Sequence, residues 1–132
     1  MIVVDANVFA ALYLPGPLTP AALQLAGQEA EWVAPPLLRS ELRNILATYT
    51  RLRSLDLSVA LSILESVELS MSGRYLDVSS LEVLSLAEKS GCTAYDCEYV
   101  ALAQRLGVPL VTDDAQLLRR FARVAVPLAG RH

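Results

Sequence analysis

Histidine is nearly missing from this chain: the only one in 132 residues is His132, at the very end. A Ser-His-Asp or Cys-His enzyme needs an imidazole held inside the fold, so both classes are excluded. Cysteine is scarce too. Cys92 and Cys97 form neither a CxxC spacing nor half of a Cys/His quartet, so no zinc site is expected. They read instead as free buried thiols in a reducing compartment. Long apolar runs are also absent. Hydrophobic residues reach 54%, yet charge, Pro or Gly breaks every run before the roughly 18 residues of a membrane span. No basic segment precedes Ile2-Val3-Val4, so the start does not read as an export signal. A soluble cytoplasmic protein with no membrane association is expected. The apolar surplus in so small a chain points to a buried subunit interface. Finally, positive charge is lacking. Net charge is −3, where a passive nucleic-acid coat would be basic; a nuclease whose acids hold metal is not excluded. Lys89 is the only lysine among the 11 cationic side chains, and the arginines suit phosphate forks.

What is present is a regular alternation. Ile2-Val3-Val4 is a β-branched run, read as a buried strand. Asp5 caps a helix that runs to about Leu12 and ends at Pro15-Gly16-Pro17. Thr19-Pro20 opens a second helix to about Gln28, with Thr19 as its cap. Trp32-Val33-Ala34 is a short strand. Helical periodicity spans Leu37–Arg53 and Leu57–Leu69, forming a helical hairpin. Residues 70–78 read as a loop with room for a short strand. Ser79-Ser80 caps a helix closed by Gly91, and Thr93 or Ala94 opens one closed by Gly107. Pro109–Thr112 is a strand, Asp113-Asp114 starts a helix to about Ala122, and Val124–Val126 is a last strand. Short apolar strands between helices predict an α/β fold: one domain over residues 1–132, with a short parallel sheet covered on both faces.

The acids stand out within this alternation. In an open parallel sheet, ligands bind beyond the carboxyl ends of the strands. Asp5 follows the first strand, and Asp113 and Asp114 follow the Leu110-Val111-Thr112 strand. Each is equally a helix N-cap. Glu41 lies between Leu37/Leu38 and Leu42/Ile45, on or beside the buried stripe of its helix. An ionised carboxylate there needs a partner or a cation. Arg39 and Arg43 are two positions away, where helical side chains do not face each other, although a more distant arginine could pair with it. Asp96 shares an apolar face with Tyr99, Val100 and Ala103. Four acids converging on one end of a sheet repel one another, and a divalent cation removes the conflict. An all-oxygen donor set suits Mg²⁺ or Mn²⁺.

These residues resemble the PIN-domain pattern. Val4-Asp5-Ala6-Asn7 is similar to the opening motif of that family, and Glu41 in an amphipathic helix to its second acid. Thr93-Ala94-Tyr95-Asp96-Cys97-Glu98-Tyr99-Val100-Ala101-Leu102-Ala103 resembles the third-acid motif, and Leu110-Val111-Thr112-Asp113-Asp114 the closing strand and Thr-x-Asp motif. The resemblance implies a PIN-like three-layer fold with a central parallel sheet flanked by helices. It also implies a Mg²⁺-dependent endoribonuclease, with Asp5 and Asp96 as principal metal ligands and Glu41 and Asp114 completing the acidic set. Asp113 is an extra acid whose part stays open. Thr112 would orient Asp5, and Asn7 would support the site. The small size resembles VapC-like toxins, which implies an RNA substrate, a homodimer and a VapB-like antitoxin. Arg39 and Arg43 are candidate phosphate contacts. Tyr13, Tyr95 and Tyr99 are candidate base platforms, with Tyr95 and Tyr99 reading first as core residues.

Two rivals remain. A receiver-like or phosphatase-like phosphotransfer domain also uses a strand-end Asp and Mg²⁺. Here Asn7 stands where its second Asp would be, and Lys89 sits in a helix. A non-catalytic PIN-like module that binds only RNA or a protein is the other; the complete acid set argues against it.

Overall fold

A computed structural model describes residues 1–128. His132 lies outside the described residues. Four short strands make one parallel sheet in the order β2-β1-β3-β4: β1 (Ile2–Val4), β2 (Trp32–Val33), β3 (Leu110–Thr112) and β4 (Ala125–Pro127). The helices are α1 (Ala6–Tyr13), α2 (Thr19–Gln28), α3 (Leu37–Leu52), α4 (Leu57–Ser70), α5 (Ser80–Ser90), α6 (Ala94–Leu106) and α7 (Ala115–Arg120). They flank the sheet, as the strand composition requires. The central strands β1 and β3 are buried at every position, which is why they read as unbroken apolar runs rather than as alternation.

Strand register positions the site. Val3 pairs with Leu110 and Val4 with Val111, so β1 and β3 end side by side and Asp5 emerges next to Thr112. The two strands lie far apart in sequence, and α6 closes the distance. Its sequence ends in Gly107 at φ 68°, a left-handed conformation natural to glycine. There the Val108 N–H donates back to the Ala103 carbonyl (3.1 Å), turning the chain into β3. Tyr99, Val100, Leu102 and Ala103 of α6 are all buried in the main core.

Three local expectations need correction. Thr19 does not cap α2; Leu18 holds that place, and Pro20 sits in the first turn. The Thr19 hydroxyl donates to the Leu14 carbonyl (3.2 Å) and accepts from the Gly16 N–H (3.1 Å), bracing the Pro15-Gly16-Pro17 turn instead. α7 stops at Arg120, short of Ala122, because the chain must turn back at once to enter β4. Tyr95 is not a core residue: it is 64% exposed, whereas Tyr99 is buried. In the 70–78 loop the short strand reduces to one parallel bridge, Ala34 to Tyr75.

Leu102 is fully buried in α6. Leu102→Ala is expected to lower unfolding free energy by about 2–5 kcal/mol through lost burial plus a residual cavity. A urea titration checks this as a reduced midpoint with unchanged slope.

Candidate active site

The site begins at the end of β1. Asp5 caps α1, accepting a hydrogen bond from the Val8 N–H at Oδ1 (3.2 Å). Its other oxygen, Oδ2, accepts a short hydrogen bond from the Thr112 hydroxyl at the end of β3. The Thr112 hydroxyl in turn accepts from the Asp114 N–H (3.0 Å). Asp114 then caps α7 through the Leu117 N–H (3.0 Å). One chain of hydrogen bonds therefore joins the starts of α1 and α7 across two strand ends. From the helical side, α3 supplies Glu41, and Tyr99 of α6 donates its hydroxyl to Glu41 Oε1 at 2.5 Å. Asp96 stands in the first turn of α6, its N–H donating to the Thr93 cap (3.0 Å). Asp5, Asn7, Glu41, Asp96, Tyr99 and Asp114 line one cavity of about 50 Å³.

The electrostatics match the burial. Asp5 is pushed up to about 6, because burial outweighs the bonds from Thr112 and Val8, with the charges of Glu41 and Asp114 adding to the rise. Burial likewise raises Glu41, against the Tyr99 bond, with Asp96 and Glu98 contributing. Asp96 is raised by burial and then by Asp114. Burial and Glu41 together drive the Tyr99 hydroxyl far up, so it remains a donor. Among the described residues, no arginine or lysine forms an ion pair with any of the four acids.

The cationic candidates lie elsewhere. Arg39 makes a two-pronged contact with Glu68 (2.8 and 3.0 Å) and lies over the Tyr75 ring at 4.6 Å. That contact joins α3 to α4, and Arg39 does not line the acidic cavity. Arg43 is exposed. Asp113 and Asp114 are both exposed and both line a neighbouring cavity, but only Asp114 also lines the acidic one. The partner of Glu41, Tyr99, was missed in that role. Its three-residue offset from Asp96 in α6 was the available signal.

The donor set suits a hard divalent ion: carboxylate oxygens only, in a cavity with room for a small ion and water. Among the described residues, however, no three acidic, His or Cys side chains are grouped closely enough to chelate an ion as they stand. The expected four-acid cage is thus an open ring. Three of its members are held by bonds to Thr112, Leu117 and Tyr99, and their like charges keep them apart. In donor chemistry the residues fit a hard divalent cation.

A parallel α/β sheet with four acids gathered beyond its central strands defines the class. The PIN domain family model matches residues 2–126, and this chain belongs to that family. Ribonuclease VapC3 of Pyrobaculum aerophilum is 37% identical over 131 residues, spanning 96% of this chain and 98% of that protein. The crystal structure of PAE2754 from Pyrobaculum aerophilum aligns with a TM-score of 0.76 at 28% identity, covering 96% of this chain and 90% of that one. FitAcB from Neisseria gonorrhoeae shares the fold, with a TM-score of 0.74 at 18% identity over 99% of this chain and 100% of that one.

The raised Asp5 has a consequence for stability. Between the ordinary value near 3.8 and about 6, the folded chain keeps a proton that the unfolded chain releases. Stability contributed by this group is therefore present at low pH and lost as pH rises through that window. The loss is about 3 kcal/mol, from about two pH units at 1.36 kcal/mol each. Asp5→Asn is expected to be more stable than the parent at pH 7 and nearly equal at pH 4. Urea titrations at both pH values, in chelator, check this.

Proposed function

We propose that this chain is a Mg²⁺- or Mn²⁺-dependent endoribonuclease, the toxin half of a VapBC-type toxin–antitoxin pair. The observation that carries this reading is the set of four carboxylates, drawn from four separate elements, around one cavity with no cationic side chain among the described residues to balance them. Asp5 and Asp96 would hold the ion, with Glu41 and Asp114 completing the acidic ring. When bound, such an ion activates a water for attack on a phosphodiester and offsets charge on the phosphate. The chain's own residues then do the positioning. Thr112 fixes Oδ2 of Asp5, the Val8 N–H fixes Oδ1, and Tyr99 fixes Glu41. Asn7 adds a neutral amide at the rim. The similarity to a protein named as a ribonuclease VapC supports RNA as substrate and an antitoxin as partner.

The same reading includes a homodimer in the cytoplasm. Leu52, Leu57, Leu61, Leu69, Leu81 and Leu84 are all more than half exposed, and they fall on the end of α3, on α4 and on α5. Leucines so placed favour a second copy of the chain. The two free buried cysteines fit a reducing compartment. Sedimentation is expected to give twice the chain mass; a monomer at micromolar concentration rejects the dimer.

For activity, purified protein is expected to cut a structured RNA with Mg²⁺ or Mn²⁺, to stop in chelator and to recover on readdition. Asp5→Asn and Asp96→Asn should each lose at least about 100-fold in rate, the scale of removing a main electrostatic stabiliser. Parental rates in both variants would remove these acids from the mechanism.

A further inference from the structure

Beside the acidic cavity lies a second one, of about 300 Å³, between α3 and the first turn of α6. Its walls are Leu37, Ile45 and Tyr95, and its polar groups are Asn7, Ser40, Asn44 and, on the side shared with the acidic cavity, Glu41. Glu41 and Asn7 line both cavities, so the two are adjacent. Tyr95 is 64% exposed, next in sequence to Asp96. It occupies a fixed helical position rather than a loop, so its ring is presented from a rigid base. On α3, Ser40 and Asn44 are one turn apart and Glu41 and Ile45 another, so a single helical face serves both cavities.

We propose that this second cavity is a nucleobase subsite, in which Tyr95 stacks on the unpaired base flanking the cleaved phosphate and Asn44 reads that base's edge. The inference rests on the ribonuclease reading for the identity of the reaction, but its chemistry is local. Among the described residues no Lys or Arg lines the cavity, and Glu41 does, so it does not suit a phosphate, which calls for a cationic fork or point charge. An aromatic face, apolar walls and neutral amides suit a flat, uncharged ligand with a hydrogen-bonding rim. Base–aromatic stacking tolerates any sequence, whereas an Asn amide pairs with a specific base edge. A strand with one phosphate at the acids therefore has its neighbouring base delivered to Tyr95. Preference for a particular base at that position then belongs to Asn44, with Ser40 and Asn7 beside it.

The test uses the whole chain and a single-stranded RNA oligonucleotide of randomised sequence at fixed salt, with cut ends sequenced. The parent is expected to show a base preference at one position next to the cut. Tyr95→Phe should keep rate and preference, because stacking needs no hydroxyl. Tyr95→Ala should lose roughly ten- to a hundredfold in kcat/KM, mainly through KM, the size of one stacked base. Asn44→Ala should lower kcat/KM for the preferred base toward that of the others and so flatten the preference. Parental kcat/KM in Tyr95→Ala, or an unchanged preference in Asn44→Ala, overturns the subsite. A second arm separates this from the activity itself. In an Asp5→Asn background, fluorescence anisotropy with labelled single-stranded RNA reads binding alone. A roughly tenfold weaker complex on adding Tyr95→Ala upholds the subsite even if the parent cuts nothing and the ribonuclease reading falls. Equal affinity there rejects the subsite whatever the parent cuts.

Discussion

A carboxylate held in the interior at the end of a central strand governs this structure. Asp5 is only 7% exposed, and among the described residues no cationic side chain pairs with it. What makes it tolerable is the register of β1 against β3, which brings the Thr112 hydroxyl to one oxygen while the start of α1 serves the other. The compensation is incomplete, as the upward displacement of its titration shows. A one-residue slip in that pairing would leave Asp5 facing an apolar side chain. It would also break the bond from Thr112 to Asp5, the one link between Asp5 and the local Thr112–Asp114 turn that starts α7. Strand register, two helix starts and the acidic cavity are therefore one object rather than four.

Capping and ligation, which look like competing explanations of Asp5 and Asp114, turn out to be compatible. A carboxylate has two oxygens and several lone pairs. Asp114 gives Oδ1 to the Leu117 N–H and still lines the cavity. Asp5 divides its oxygens between a cap and a strand-end hydroxyl and lines it too. The caps fix these side chains in one rotamer, so the positions of the acids are set by local folding of α1 and α7 before any ligand arrives.

This economy also explains how much could be read from the sequence. The order of strands and helices was legible because each element carries its own period and its own stop. Gly91 and Gly107 end α5 and α6 as expected, and Ser79 and Thr93 cap them. Asp5, Glu41, Asp96 and Asp114 were legible as a group because Asp5 and Asp114 follow strand ends while Glu41 and Asp96 share helix faces with apolar residues. Pairings across long separations were not. The hydroxyl of Tyr99 meets Glu41 58 positions away, and Arg39 meets Glu68 29 positions away; no periodicity encodes either. Tyr95 and Tyr99 show the same limit within one helix. They lie four residues apart on one stripe, yet Tyr99 is in the core while Tyr95, one turn nearer the helix start, has passed the edge of the protein. Periodicity gives the face of a helix, not the depth to which that face is covered.

The hydrogen bonds of the acids serve the fold well, but they do not require acids. A cap requires an oxygen, not a charge: Ser, Thr or Asn at positions 5 and 114 would cap α1 and α7 without mutual repulsion. Glu41 caps nothing, since it stands in the body of α3, and a neutral glutamine would accept the Tyr99 bond as well. The hydroxyl of Thr93 beside Asp96 likewise calls for no negative charge. Structure thus accounts for four oxygen-bearing side chains and leaves four negative charges unexplained. Burial and mutual repulsion both act against those charges, as the displaced Asp5, Glu41 and Asp96 show. On the proposed reading, a cation entering the cavity gives them a purpose. A phosphotransfer site would need a single reactive Asp with a lysine at hand, and the only lysine of the chain stands in the last turn of α5. The surplus of charge over structural need is what a cation-dependent phosphodiester site requires and what neither rival explains.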